Sequence, residues 1–192
     1  MTDYFVDGDD VLDNKLGIIN QQVLKEIEQD IIAKKTAVLL TEDSTVFDFN
    51  FLIYIHKTLF EDIYSFAGKI RIVDIAKPKA SAPFAYAKFI ESEAERVFSE
   101  LKSKKYLVGL DRQIFVEEIA SLSAELNALH PFREGNGRTI RLFLILLADH
   151  AGYLLDYSQV SSKELIKADR LAFEGDLKPL LVMYEKVTVE TL

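Results

Sequence analysis

Cysteine is absent from the 192 residues, which excludes disulfides and thiolate metal sites and fits a reducing compartment. A basic surplus is absent too. Against 31 Asp and Glu stand 23 Lys and Arg, a formal charge of −8, whereas a general nucleic-acid binder shows a basic excess or stripe. Direct nucleic-acid contact, and with it a helix-turn-helix reading, is therefore disfavoured. No apolar run approaches the roughly 18–20 residues of a membrane span, "LFLILLA" being far too short. The opening "MTDYFVDGDD" is acidic and has no apolar signal segment. A cytoplasmic protein without membrane contact is expected. Internal repeats, low-complexity tracts and Pro/Gly/Ser-rich linkers are also missing, so one domain with one core is expected over residues 1–192.

What is present reads mostly as helix. In "QQVLKEIEQDIIA" Val23, Ile27, Ile31 and Ile32 recur at helical spacing. In "DFNFLIYIHKTLFEDIYSFA" Phe49, Leu52, Ile53, His56, Leu59, Phe60 and Ile63 share a broad face, with His56 expected to be a satisfied packing residue. Two further stripes follow, one through Phe89, Ile90, Ala94, Val97, Phe98 and Leu101, the other through Ile114, Phe115, Ile119, Leu122, Leu126 and Leu129. Short helices around 161–174 and 177–186 end the chain. The exception is "KIRIVDI", where Ile70 and Ile72 alternate against Arg71 and Val73 with the period of a strand. After a turn-rich "AKPKASAP", residues 70–86 are expected to form an edge β-hairpin. The fold class is all-α with one small hairpin.

The chemistry concentrates in "HPFREGNGRTIR", residues 130–141, directly ahead of "LFLILLA". Pro131 keeps His130 out of the right-handed helical region, which places the imidazole on an extended segment. Gly135, Asn136 and Gly137 tolerate positive φ and close backbone approach. At the start of a helix they form a nest of N–H groups suited to phosphate. Arg138 and Arg141 lie on one side of the first turn, where the helix dipole already disfavours cations. Several negative charges are needed to balance this mouth, and a polyphosphate is the natural candidate. Glu134 then makes sense as one carboxylate of a Mg²⁺ site completed by phosphate oxygens. His130, with a side chain that ordinarily titrates near neutrality, suits a general base. A base, a metal carboxylate and a phosphate cradle point to transfer from a nucleoside triphosphate to a hydroxyl. Spacing leaves open whether AMP or phosphate moves.

The same string resembles the Fic family signature H-x-F-x-[D/E]-G-N-G-R-x-x-R at every fixed position. "IHKTLFEDIYSFAGKIR" resembles the helix leading into that family's flap, and "FEGDLKPL" its closing helix. The resemblance implies a Fic-type helical bundle over 1–192, with a core at about 46–151, a flap hairpin at about 70–86 and a motif loop at 130–138. It also implies a protein adenylyltransferase using ATP as co-substrate. His130 would deprotonate the target hydroxyl and Glu134 would hold Mg²⁺. Gly135, Asn136 and Gly137 would stabilise the phosphate under attack, Arg138 and Arg141 would bind the outer phosphates, and Phe132 would anchor the loop. The flap would align a target segment by β-augmentation. The related Doc-like branch has lysine where this chain has Gly137 and phosphorylates its target, so Gly137 favours nucleotidyl transfer.

Many members carry an inhibitory helix marked [S/T]-x-x-x-E-[G/N]. Ser121 precedes Glu125, but Leu126 follows. Glu174–Gly175 has the right ending, but Arg170 occupies the hydroxyl position. With no intact copy in these residues, either the enzyme is unrestrained or a small antitoxin supplies the helix in trans, and the second is expected, as in the short stand-alone Fic toxins of bacterial toxin–antitoxin pairs. "DVLDNKLGI" and "YLVGLDRQIFVEEIA" resemble those toxins, whose targets include the ATP-binding subunits of DNA gyrase and topoisomerase IV. UMP or phosphate transfer by the same motif, and a non-catalytic nucleotide-binding module, are the alternatives.

Overall fold

The computed structural model describes residues 11–75 and 83–190. Its axis is the helix Asn136–His150, designated α5 below, in which Ile140, Leu142, Phe143, Leu144, Leu146, Leu147 and Ala148 are all buried. A helix apolar on nearly every side must be enclosed by others. Seven α-helices stand among the described residues: α1 (Gln21–Leu39), α2 (Phe49–Phe60), α3 (Ile90–Ser103), α4 (Arg112–Leu129), α5, α6 (Ser162–Phe173) and α7 (Lys178–Val187). α2 and α4 flank α5, α1 covers α2, α3 packs on α4, and α6 and α7 pack on each other and on α4. Two three-residue strands, β1 (Tyr153–Leu155) and β2 (Thr188–Glu190), pair antiparallel with Tyr153 opposite Glu190. The fold class is all-α, as expected from the periodicity. No helix among the described residues is long and apolar enough to cross a membrane.

Side-chain caps set several helix starts. Asn20 accepts from the backbone of Gln22 and Val23, Asp48 from Phe51 and Asp111 from Ile114, while Ser161 and Glu164 form a reciprocal capping box. Such caps satisfy N–H groups that have no partner inside the helix and stabilise each start by about 1 kcal/mol.

Three expectations are corrected. Phe89 and Ile114, expected in the buried stripes, are 47% and 44% exposed. The buried face of α1 runs through Leu24, Glu28, Ile32 and Leu39, and Val23 is 43% exposed. The helix is rotated from the purely apolar choice because Glu28 meets buried polar partners described below. The expected hairpin at 70–86 does not form a strand ladder among its described residues, and 76–82 lie outside them. Its arms bond to α4 and the following loop instead, Arg71 N–H to Pro131 O and Ala85 N–H to Ala128 O. The expected alternation is also inverted, with Ile72 70% exposed and Arg71 1%.

Candidate active site

The loop joining α4 to α5 carries the site. His130 ends α4 with φ 46° and ψ 60°, and its N–H reaches Leu126 O. Proline at 131 bars the right-handed helical conformation, but the chain turns into the left-handed region and is not extended as expected. A left-handed residue closes a helix and reverses the chain within one step. For a residue other than glycine this conformation costs on the order of 1–2 kcal/mol, so neighbouring bonds must hold it.

The imidazole is fixed on two sides. Its Nδ1 lies 3.2 Å from Asn127 O. A carbonyl only accepts, so Nδ1 carries the proton and the lone pair of the neutral ring sits on Nε2. The ring stacks on Phe84 at 3.7 Å with the planes 13° apart, and Phe84 leans on Phe173.

The loop is clamped below this histidine. Phe132 is fully buried and stacks on His56 at 3.8 Å. Asn136 Oδ1 accepts from Phe132 N–H at 2.9 Å, and its Nδ2 donates to Phe132 O at 2.8 Å. Its side-chain amide is therefore engaged within the loop. His56 is the satisfied, buried residue expected, yet one of its partners belongs to the motif. Gly68 N–H donates to Nδ1 at 2.9 Å, so Nε2 carries the proton and donates to Glu134 O at 3.0 Å. Burial, aided by the charge of Arg138, pushes the His56 pKa down to about 4, so this ring stays neutral.

At the mouth of α5, Gly135 has φ 82°, and a Cβ there would lie 2.3 Å from Phe60 Cζ. Only glycine fits. No side chain caps this helix start. Gly135 N–H reaches Glu134 Oε1 at 2.8 Å. The two arginines differ sharply. Arg138 forms an ion pair with Glu28 of α1, whose other oxygen accepts from Tyr64 Oη. It also lies 3.4 Å from Glu134 Oε1 and 4.9 Å above the Phe60 ring. Among the described residues Arg141 makes no ion pair.

Glu134, Gly135, Gly137, Arg138 and Arg141 line one cavity of about 970 Å³, closed by α1 and the start of α6. That volume is at the upper end for small-ligand sites, which run from about 300 to 1,000 Å³. His130 does not line it. The structure thus gathers the anion-binding candidates other than Asn136 on one side of the loop and sets the candidate base at the end of α4. Among the described residues no group of three His, Cys, Asp or Glu side chains is placed to hold a metal, so a cation here would depend on Glu134 and on oxygens brought by a ligand. Glu28, Tyr64, Phe84 and Arg71 were not singled out as site residues by the sequence. Only Glu28 left a trace, a carboxylate four residues from both Leu24 and Ile32 on the buried face.

A family model described as Fic/DOC matches residues 46–148, over half of the chain. The probable protein adenylyltransferase Fic of Escherichia coli (strain K12) is 35% identical over 97% of this chain and 92% of that protein. Protein adenylyltransferase VbhT of Bartonella schoenbuchensis is 40% identical over 86% of this chain, which spans 34% of that longer protein. Among solved structures, the N-terminal Fic domain of a VirB-translocated Bep effector from Bartonella quintana, with bound ADP, superposes with a TM-score of 0.95 at 29% identity, covering 98% of this chain and 95% of that one. BepC from Bartonella tribocorum, with bound AMPPNP, also gives 0.95 at 28% identity over 98% and 97%. The signature at 130–141, the helical bundle around α5 and these likenesses agree: the chain belongs to the Fic/DOC family.

Proposed function

We propose that this enzyme is a protein adenylyltransferase that moves AMP from ATP to a hydroxyl side chain of a target protein, as the toxin of a toxin–antitoxin pair. The observation that carries this reading is the mouth of α5, with no side-chain cap and with Arg141 unpaired among the described residues, opening on one large cavity beside Glu134. The relatives' bound ADP and AMPPNP support a nucleotide as its occupant.

In this reading the main-chain N–H groups of 135–137 and the dipole of α5 hold phosphate oxygens, and Arg141 takes the outer phosphates. Arg138, steadied by Glu28, adds charge from the side. Glu134 is 46% exposed at the cavity rim, and a single carboxylate matches the way Mg²⁺ is held, with phosphate oxygens and water completing the set. When bound, Mg²⁺ supplies neutralisation of the phosphate charge. His130 Nε2 accepts the proton of the target hydroxyl. The hydroxyl oxygen bonds to the α-phosphorus as the bridging bond to the β-phosphate breaks, and diphosphate leaves. A Cβ at Gly137 would lie 3.4 Å from Arg141 Nη1, so glycine keeps space beside that guanidinium where the Doc-like lysine would add a second cation. This supports AMP over phosphate transfer.

The missing inhibitory motif supports an antitoxin acting in trans, and the cavity's extension between α1 and α6 offers its helix a way to Arg141. The proposed targets are the ATP-binding subunits of gyrase and topoisomerase IV, which places the protein in the cytoplasm. Purified protein, magnesium and gyrase are incubated with ATP labelled in the adenosine or in the γ-phosphate. Adenosine label on gyrase is expected, and γ label would make the enzyme a kinase. His130→Ala should cut transfer about 1,000-fold while ATP binding persists. If calorimetry finds no association of any common nucleotide with a folded, inhibitor-free sample, the reading is wrong.

A further inference from the structure

The described arms of the 70–86 segment converge on one stretch of backbone. Four consecutive carbonyls at the end of α4 accept from two residues of this segment. Ala85 N–H takes Ala128 O at 3.0 Å and Arg71 N–H takes Pro131 O at 2.9 Å. The Arg71 guanidinium takes the two between them, Leu129 O from Nη2 at 3.4 Å and His130 O from Nε at 2.8 Å. The same fork donates to Val73 O from Nη1 and to Ala85 O from Nη2. A guanidinium has five N–H donors in a rigid plane, and no other side chain could serve both the helix end and the two arms. Arg71 forms no ion pair with a carboxylate among the described residues, although it is one of the largest fully buried side chains. Its charge is turned toward the negative end of the α4 dipole, where a cation is favoured. The return arm then delivers Phe84, next to Ala85, as the platform under the His130 ring.

We propose that Arg71 is a positioning residue for the transfer reaction, locking both arms of the 70–86 segment and the left-handed backbone of His130 into one rigid unit. The docking surface for the target and the base that takes its proton then keep a fixed geometry. This rests on the adenylyltransferase reading for its role in transfer, but its structural content can be tested without activity.

The chain has three histidines, so ¹⁵N-histidine NMR of the intact protein resolves each ring, with His56 and His150 as internal controls. In the wild type His130 is expected to show the Nδ1-protonated tautomer. In Arg71→Met that signature should give way to tautomer exchange while the His56 signals hold, Mg–ATP affinity should stay within about threefold, and kcat in the label-transfer assay should drop about 100-fold, the loss a misplacement of about 1 Å produces. Arg71→Lys, which keeps charge but loses the fork, should fall between them. It also serves as the working variant should Arg71→Met fail to fold, with His130 then expected to show partial exchange. A folded variant with an unchanged His130 spectrum overturns the proposal, as does equal disturbance of His56. If the wild type transfers no label at all, the functional reading fails, while the NMR comparison still decides whether Arg71 holds His130.

Discussion

The loop 130–135 joins two helix ends of opposite polarity, and the protein treats them differently. At the C-terminus of α4 it supplies its own counter-charge, the buried Arg71, and its own donors for carbonyls 128–131. At the N-terminus of α5 no side chain provides a cap, and two arginines are added where cations are already disfavoured. Glu28 compensates one of them from α1. The other, Arg141, lines the cavity and makes no ion pair among the described residues. A helix end completed from within is a structural joint, and an end left incomplete at a cavity is a candidate binding site.

The strongest way to break this contrast is at the joint between the ends. Gly135→Ala puts a Cβ on a left-handed residue and against the buried Phe60 ring. Strain and overpacking together should lower unfolding free energy by about 2–5 kcal/mol and abolish ATP binding, as read by urea denaturation and calorimetry. A variant of wild-type stability would show that the loop relaxes freely.

Next in size is the pH response of His56, which ties Glu134 O from below. Its folded pKa of about 4 lies under the ordinary 6.5, so above pH 6.5 the ring is neutral in both states and contributes no slope. As pH falls from 6.5 toward 4 the unfolded chain takes up a proton that the folded chain refuses. Stability is then lost, by about 3 kcal/mol at most. Comparing unfolding at pH 7.5 and 4.5 in wild type and His56→Gln isolates this part, and equal losses in both proteins would rule it out.

The two arginines give the sharpest comparison. Arg138→Ala leaves the Glu28 carboxylate buried without its cation and should cost about 2–3 kcal/mol of stability. Arg141→Ala should leave stability within about 0.5 kcal/mol yet weaken ATP binding about 10-fold or more, the loss of one charged hydrogen bond. Reversed effects would assign the ligand to Arg138. The smallest effect belongs to Phe84→Leu, which keeps bulk but removes the flat platform. Kcat should fall severalfold, with ATP affinity unchanged in the same assay.

Most of the site was legible because its parts are adjacent in sequence. The string 130–141 contains the candidate base, the nest, the carboxylate and both arginines, and all of them stand on or beside one loop in the fold. Residues whose roles depend on distant partners were not legible. Arg71 sits in a run whose alternation argues for Ile70 and Ile72 inside, and the structure inverts it because unpaired carbonyls at the end of α4 need donors more than Ile72 needs burial. Glu28 has its ion-pair partner, Arg138, 110 residues away. His56 was read correctly as a packed histidine, but that its proton serves Glu134 O could not be inferred from its own helix.

Local order along the chain determined the helical class, the apolar axis at 142–148 and the positive mouth with its candidate base, because period, caps and turn residues act over a few positions. The pairing of Arg138 with Glu28, the exemption of Arg141 and the buried fork of Arg71 were decided only when the helices packed. Charges and carbonyls find their partners by distance in space, and burial makes each of those pairings obligatory.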